Sequence, residues 1–222
     1  MTITIHAELV QGTEEWLQLR CGTLTASEMK NILTPTLKAA SNDRERSHLY
    51  ELLAQRISRH VEPHYISDDM LRGQEDEIDA RGLYARHYAP VREVGFITND
   101  AWGFTIGYSP DGLVGDDGQI EVKSRRQKFQ VETIIAGVMP DEYQMQVQTG
   151  LLVSGRKWCD FISISLGLPM VTIRVFPHAH IQAAIIEAAT AFEARLAEKM
   201  EAYHRASGRM IETERRIEQE MF

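Results

Sequence analysis

The chain has 222 residues, of which 43% are hydrophobic, and 24 basic against 32 acidic side chains give a net charge of −8. This is the composition of an ordinary globular protein, and its acidic balance argues against a general nucleic-acid coat protein, though not against an enzyme that confines its cations to a channel. No apolar run approaches the ~20 residues of a membrane helix, and the two cysteines, Cys21 and Cys159, are too few for a disulfide framework, a four-thiolate zinc site or an iron–sulfur cluster. The opening MTITIHAEL has no basic stretch followed by an apolar one, so the expectation is a cytoplasmic protein with both thiols reduced.

In chain order, residues 13–20 (TEEWLQLR) predict a short helix with Trp16 and Leu19 on one side and Trp16 in the core. In TASEMKNIL, Thr25 and Glu28 fit a capping box that starts a second helix, with Met29, Ile32 and Leu33 as its apolar face. Residues 34–44 read as a loop. A helix over 46–59 carries Leu49, Leu52, Leu53 and Ile57 at helical spacing, and another over 70–88 turns Ile78, Leu83 and Tyr84 inward. Three β-rich runs follow, VREVGFI, WGFTIGYS and QIEVKS, separated by the turn segments TNDA and PDGLVGDDG. They predict an antiparallel meander. Helices are expected over 128–137 and 140–153, the latter with Tyr143, Val147, Leu151 and Leu152 on one face. Two strands, WCDFISISL and MVTIRVFP, come next. Residues 178–220 read as an amphipathic helix broken near Ser207 and Gly208. This order predicts an α/β fold, a mixed central β-sheet flanked by helices, in one domain over 1–222 with a C-terminal helical segment at about 178–220.

The chemistry concentrates in SPDGLVGDDGQIEVKS. Asp111 sits in the turn after one strand, and Glu121 and Lys123 lie on the next. Residues two apart on a strand share a face, so Glu121 and Lys123 project together while Val122 points into the core. A hairpin folding back would bring Asp111 to the pair. Two carboxylates and a lysine at a sheet edge make a hard-cation site with an ammonium beside it, which suits phosphodiester hydrolysis. The competing reading is a solvated surface strand next to a turn carboxylate. Asp116 and Asp117 are better explained as turn residues. Eighteen of the 24 cations are arginine, the side chain suited to bidentate phosphate contacts.

Pro110-Asp111 followed by Glu121-Val122-Lys123 resembles the PD-(D/E)xK core of restriction-endonuclease-like nucleases. Three further segments, QGTEEWLQLRCGTLTASE (11–28), RGQEDEIDARGLYARHY (72–88) and YQMQVQTGLLVSG (143–155), resemble in their order the phage λ exonuclease or YqaJ viral recombinase family. The motif-bearing part spans 11–155. The resemblance implies a Mg²⁺-dependent 5′→3′ exonuclease, with Mn²⁺ as a possible substitute and one or two ions. Such an enzyme resects linear duplex DNA from 5′-phosphorylated ends to mononucleotides and leaves 3′ single strands for phage recombination in a bacterial host. It also implies a ring-shaped homotrimer and a single-strand annealing partner.

Carried over by position, the resemblance makes Asp111, Glu121 and the backbone carbonyl of Val122 metal ligands, and Lys123 the residue that orients water and stabilises the transition state. Gly73 and Glu77 match a glycine and a glutamate near the metals, where an ordinary pair of Glu77 with Arg81 is the alternative. No role follows for Glu75, Asp76 or Asp79. Gln146 matches a residue near the scissile phosphate, or else belongs to a polar helix face. Arg20, Ser27 and Ser109 match the pocket for the terminal 5′-phosphate, and a helix start at Ser27 would add a positive dipole end. After the lysine the strand continues Ser124-Arg125-Arg126, where the λ enzyme has cysteine and proline. A PD-(D/E)xK endonuclease and a non-catalytic DNA-end-binding or assembly protein are the other readings. The joint presence of Asp111, Glu121 and Lys123 disfavours the second.

Overall fold

The computed structural model describes residues 2–63 and 67–215. Strand β1 (Ile3–His6) leads to helix α1 (Glu14–Arg20), which starts where the Thr13 hydroxyl accepts the Trp16 N–H at 3.4 Å. Strand β2 (Leu24–Thr25) runs into a single 3₁₀ turn and the short helix α2 (Met29–Ile32). Helix α3 (Asp43–Ser58) begins three residues earlier than expected because the Asn42 side chain accepts the Glu45 N–H at 3.0 Å. Helix α4 (Asp68–His87) is capped by Ser67. Then follow β3 (Phe96–Asn99), β4 (Ile106–Tyr108), β5 (Gly112–Val114) and β6 (Gly118–Ser124). Helices α5 (Gln127–Ala136) and α6 (Gln144–Ser154) cross over to β7 (Trp158–Ile164) and β8 (Val171–Val175), and α7 (Ala179–Ser207) follows.

The mixed α/β architecture expected from the element order is present, but the strands form two four-stranded sheets. The first has the order β1-β3-β4-β2 and the second β5-β6-β7-β8. The expected meander is therefore divided. β3 pairs antiparallel with β4 and β5 antiparallel with β6, while Ser109 to Asp111 carry the chain from one sheet to the other. β1, whose sequence ITIH alternates apolar and polar residues although both of its faces are largely exposed, completes the first sheet and was not anticipated. In the second sheet the central pair β6 and β7 is parallel, with Glu121 beside Phe161 and Val122 beside Ile162.

That sheet has two differently covered faces. Val122, Ile120 and Ile162 pack against Ala80 and Tyr84 of α4, whereas Phe161 and Cys159 pack against Val147 and Leu151 of α6. A third cluster joins Leu24, Met29, Ile32 and Leu52 to Ile97, Ile106 and the α7 residues Ile185 and Phe192. Leu152, expected on the face of Tyr143, turns toward this last cluster. Ile78, expected inward, is 63% exposed. The buried stripe of α4 is set by Asp76, Ala80 and Tyr84, and a residue two positions after Asp76 lies about 200° round the helix. α7 stops at Ser207, so the expected helix is not continued over 208–215, and 216–220 lie outside the described residues.

Candidate active site

The β5–β6 hairpin sets Gly112 opposite Ile120, and continuing that register by one residue sets Asp111 opposite Glu121. The carboxylate of Asp111 folds over the strand end, where Oδ2 accepts the Val122 N–H at 2.5 Å. Among the described residues no donor reaches Asp111 Oδ1. A strand residue directs its N–H and C=O to the same side, so the Val122 carbonyl lies on the edge that Asp111 covers. Glu121 is 1% exposed and fully engaged. Tyr108 donates its hydroxyl to Oε2 at 2.9 Å, Gln146 donates its amide to Oε1 at 2.5 Å, and Lys123 Nζ stands 2.8 Å from Oε1. Gly150 permits this arrangement. A Cβ there would come within 2.7 Å of the Tyr108 ring, so only a glycine lets α6 approach.

Glu77 comes from α4, paired with Arg81, whose Nη1 also donates to the Asp111 backbone carbonyl at 3.2 Å. The expected i,i+4 pair thus exists without removing Glu77 from the site. Arg81 Nη2 reaches Glu93 as well, at 3.2 Å. Burial, then the charges of Glu121 and Glu77, push the Asp111 carboxyl well above the usual carboxylate range. Burial also raises Glu77, with Arg81 opposing. Burial would lower the Lys123 ammonium, but Glu121 and Asp111 hold it above the ordinary lysine value. Three acids share two cations here, and that imbalance, together with burial, is what raises Asp111 and Glu77.

Among the described residues no three His, Cys, Asp or Glu side chains are grouped so as to hold a metal. The available set is two carboxylates and a backbone carbonyl, all oxygen. That suits a small hard cation which keeps several of its waters. Asp111 lines the cleft, and its Oδ1, left without a donor, could accept such a cation.

The other residues matched by resemblance fall into two groups. Arg20 Nη1 donates to Ser109 Oγ at 3.3 Å, and its guanidinium lies over the Trp16 ring at 4.3 Å. Trp16 is half-buried rather than core, because it serves as this platform; its indole N–H is shared between Ser109 Oγ and the Gly95 carbonyl, both at 3.1 Å. Burial lowers the Arg20 guanidinium, and Glu28 partly restores it. Ser27 is exposed and contacts Thr25 Oγ1 at 3.3 Å, with no hydrogen bond to Arg20 or Ser109 among the described residues. The expected capping box is absent. Thr25 Oγ1 donates to Glu28 Oε2 at 2.7 Å instead of accepting a backbone N–H. The element it precedes is one 3₁₀ turn and a four-residue helix, so no appreciable dipole points at a phosphate. Arg20, Asp111 and Glu77 line one cleft of about 1190 Å³.

Tyr108 was not singled out in the sequence, Arg81 entered only as the ordinary partner of Glu77, and Asp76 had no role. Tyr108 and Arg81 hold the carboxylates, and Asp76, 2% exposed, accepts the Ser124 hydroxyl at 2.5 Å and so docks α4 on β6. A buried acid beside a functional one is visible in sequence only once the inward face of the helix is known. At Gly73 a Cβ would meet nothing within 4 Å, so packing does not require glycine there.

A family model, the YqaJ-like viral recombinase domain, matches residues 15–157. Two structures of an alkaline exonuclease, LHK-Exo from Laribacter hongkongensis, are similar over 90% of this chain and 100% of theirs. One is 33% identical with a TM-score of 0.79, and the other, in complex with dAMP, is 35% identical with a TM-score of 0.80. A phage-related exonuclease from Haemophilus somnus shares the fold at 13% identity and a TM-score of 0.57, over 80% of this chain and 96% of its own. No curated protein matches. On the family match and the likeness to LHK-Exo, the chain belongs to the YqaJ-like viral recombinase family of λ-type exonucleases.

Proposed function

We propose that the protein is a divalent-metal-dependent exonuclease that degrades the 5′-ended strand of linear duplex DNA, starting from 5′-phosphorylated ends and releasing mononucleotides. The observation that carries this reading is one cleft lined by Asp111, Glu77 and Arg20, with the buried Glu121 held against Lys123 behind Asp111 and Ser109 bonded to Arg20. Mg²⁺, with Mn²⁺ as substitute, would be held by Asp111, Glu121 and the Val122 carbonyl, and would supply Lewis-acid activation of water and charge neutralisation at the phosphate.

The remaining steps belong to the chain. Lys123 Nζ, close to Glu121, orients the attacking water and offsets the charge that develops on the phosphorane oxygens. Gln146 fixes the Glu121 rotamer from above and approaches the scissile phosphate. Glu77, steadied by Arg81, accepts hydrogen bonds from water at the same place. Arg20 and Ser109 grip the terminal 5′-phosphate, the exposed Ser27 hydroxyl adds a donor, and together they position the next linkage over the carboxylates. The dAMP bound to LHK-Exo is the kind of mononucleotide product this reading expects.

An acidic chain with 18 arginines acts on DNA most readily as a homotrimeric ring with cations lining the hole, in a host cytoplasm and beside a single-strand annealing protein. No helix among the described residues is long and apolar enough to cross a membrane.

The test is linear duplex DNA, with and without 5′-phosphate, incubated in Mg²⁺ or EDTA with wild type and Arg20→Ala, and light scattering alongside. Wild type should release mononucleotides only with the metal and run near three times 25.3 kDa. Arg20→Ala should lose about ten- to hundredfold on phosphorylated ends, the worth of a charge-assisted bidentate contact, and little on hydroxyl ends. Cleavage of closed circular duplex would identify an endonuclease instead.

A further inference from the structure

Arg125 follows the catalytic strand, at a position where the λ enzyme departs from this chain. It is 8% exposed, and its main-chain N–H continues the β6–β7 pairing to the Ile164 carbonyl at 2.7 Å. Its Nη1 donates to Glu142 Oε1 at 2.5 Å and to Tyr143 Oη at 2.6 Å, and its guanidinium lies 5.2 Å from the Tyr143 ring. Its Nε is buried without a hydrogen-bond partner. A buried unpaired donor is disfavoured, so the side chain is held in place by what its other nitrogen grips.

Tyr143, at the turn before α6, leans on Phe161 with ring centroids 5.2 Å apart and presents its face to Lys123 Nζ at 5.6 Å. One turn further along is Gln146, bonded to Glu121. A closed circuit results, running Arg125, Tyr143, Lys123, Glu121, Gln146 and back through the first turn of α6.

We propose that Arg125 is a positioning residue of the nuclease, which through Tyr143 fixes the Lys123 ammonium and the Gln146 amide on Glu121. The inference rests on reading Asp111, Glu121 and Lys123 as the reacting centre. Arg125 itself touches neither substrate nor metal. Without it, the start of α6 is released from β6, and Lys123 and Gln146 lose their common reference. DNA affinity, which resides elsewhere in the cleft, is unaffected.

Steady-state cleavage of a 5′-phosphorylated duplex is measured for wild type, Arg125→Ala, Arg125→Lys and Tyr143→Phe, with Lys123→Ala as reference and thermal midpoints recorded. Arg125→Ala should lose roughly ten- to hundredfold in kcat at nearly constant KM, the scale of an ångström-sized misplacement. Arg125→Lys, which can satisfy one of the two acceptors, should recover part of it. Tyr143→Phe preserves ring and volume and should lose about three- to tenfold in kcat with KM unchanged. It decides the matter if Arg125→Ala does not fold. Wild-type kcat in a folded Arg125→Ala, or in Tyr143→Phe where Arg125→Ala does not fold, overturns the proposal, as does activity that merely tracks the folded fraction. A fully active Lys123→Ala would overturn the reading of the centre and this inference with it. An inactive Lys123→Ala beside a fully active Arg125→Ala would overturn this inference alone.

Discussion

Two clusters around a buried acid of the second sheet are built from the same parts: a carboxylate, a tyrosine hydroxyl and a cation. On the α4 side Asp160 accepts the Tyr84 hydroxyl at 2.6 Å and the Arg174 guanidinium on both oxygens, at 2.8 and 2.9 Å, and Arg174 lies flat over Trp158 at 3.8 Å. On the α6 side Glu121 accepts Tyr108, Gln146 and Lys123. The first cluster closes with one acid, one cation and both carboxylate oxygens satisfied. In the second, Asp111 and Glu77 join Glu121 and only Lys123 and Arg81 answer them. A buried charge therefore does not mark a functional site by itself. What separates the two is the imbalance of the second, which folding disfavours and which raises the Asp111 and Glu77 carboxyls.

The strongest way to break this comparison is to remove one charge from each cluster, an acid from the second and the cation from the first. In EDTA, Asp111→Asn removes surplus charge and should raise the melting midpoint by about 2–4 °C, corresponding to ~1 kcal/mol for a chain of this size. In Mg²⁺ the same variant should lose roughly a thousandfold in activity. Arg174→Ala leaves Asp160 without its ion. It should cost on the order of 2 kcal/mol, between the limits for buried and exposed pairs, or about 4–8 °C, with nuclease activity retained. Shifts of both midpoints in the same direction would dissolve the distinction between the clusters.

A pH series sharpens it. Burial first, then the bond to Asp160, pushes the Tyr84 hydroxyl far above the ordinary tyrosine value near 10. The folded chain keeps this proton when the unfolded chain gives it up. The contribution is thus complete below about pH 10 and falls away as pH rises through the unfolded value, by about 1.4 kcal/mol per pH unit. Denaturant titrations between about pH 9 and 11 should show wild type losing stability more steeply than Tyr84→Phe. Equal slopes would mean that the hydroxyl titrates alike in both states.

The smallest effect concerns Cys159, whose buried thiol is raised by burial and then by Glu121, with Asp111 and Asp160 adding from the two clusters. A thiol-reactive dye at neutral pH should titrate one group, the half-buried Cys21, and reach the second only as the chain unfolds. Two fast groups would show that the sheet between the clusters opens readily.

Much of this was legible before any coordinates. Period-two spacing placed Glu121 and Lys123 on one face and Val122 on the other, and the turn chemistry of PDGLVGDDG returned Asp111 to them. The helices at α3 and α4 followed from apolar spacing. What sequence could not supply was pairing at a distance. Tyr84 and Asp160 lie 76 residues apart, and nothing local in either shows that they meet. The split into two sheets depended on β1, whose alternating ITIH is only four residues long, and on β2, which at two residues carries no pattern. Thr25 and Glu28 have the spacing of a cap, yet the acid accepts the hydroxyl itself, because the segment is too short to present helical N–H groups.

The parallel pairing of β6 with β7 also has a consequence in time. During synthesis, β5 emerges immediately before β6, but β7 waits for a crossover running from 125 to 157. A ribosome that has delivered Asp111, Glu121 and Lys123 has delivered the charges without their enclosure, since Gln146 and the neighbouring strand are still inside the tunnel or unmade. Non-local pairing of this kind is formed late. The enclosed cluster is thereby a property of a nearly finished chain, and a nascent fragment carries its acids exposed to water.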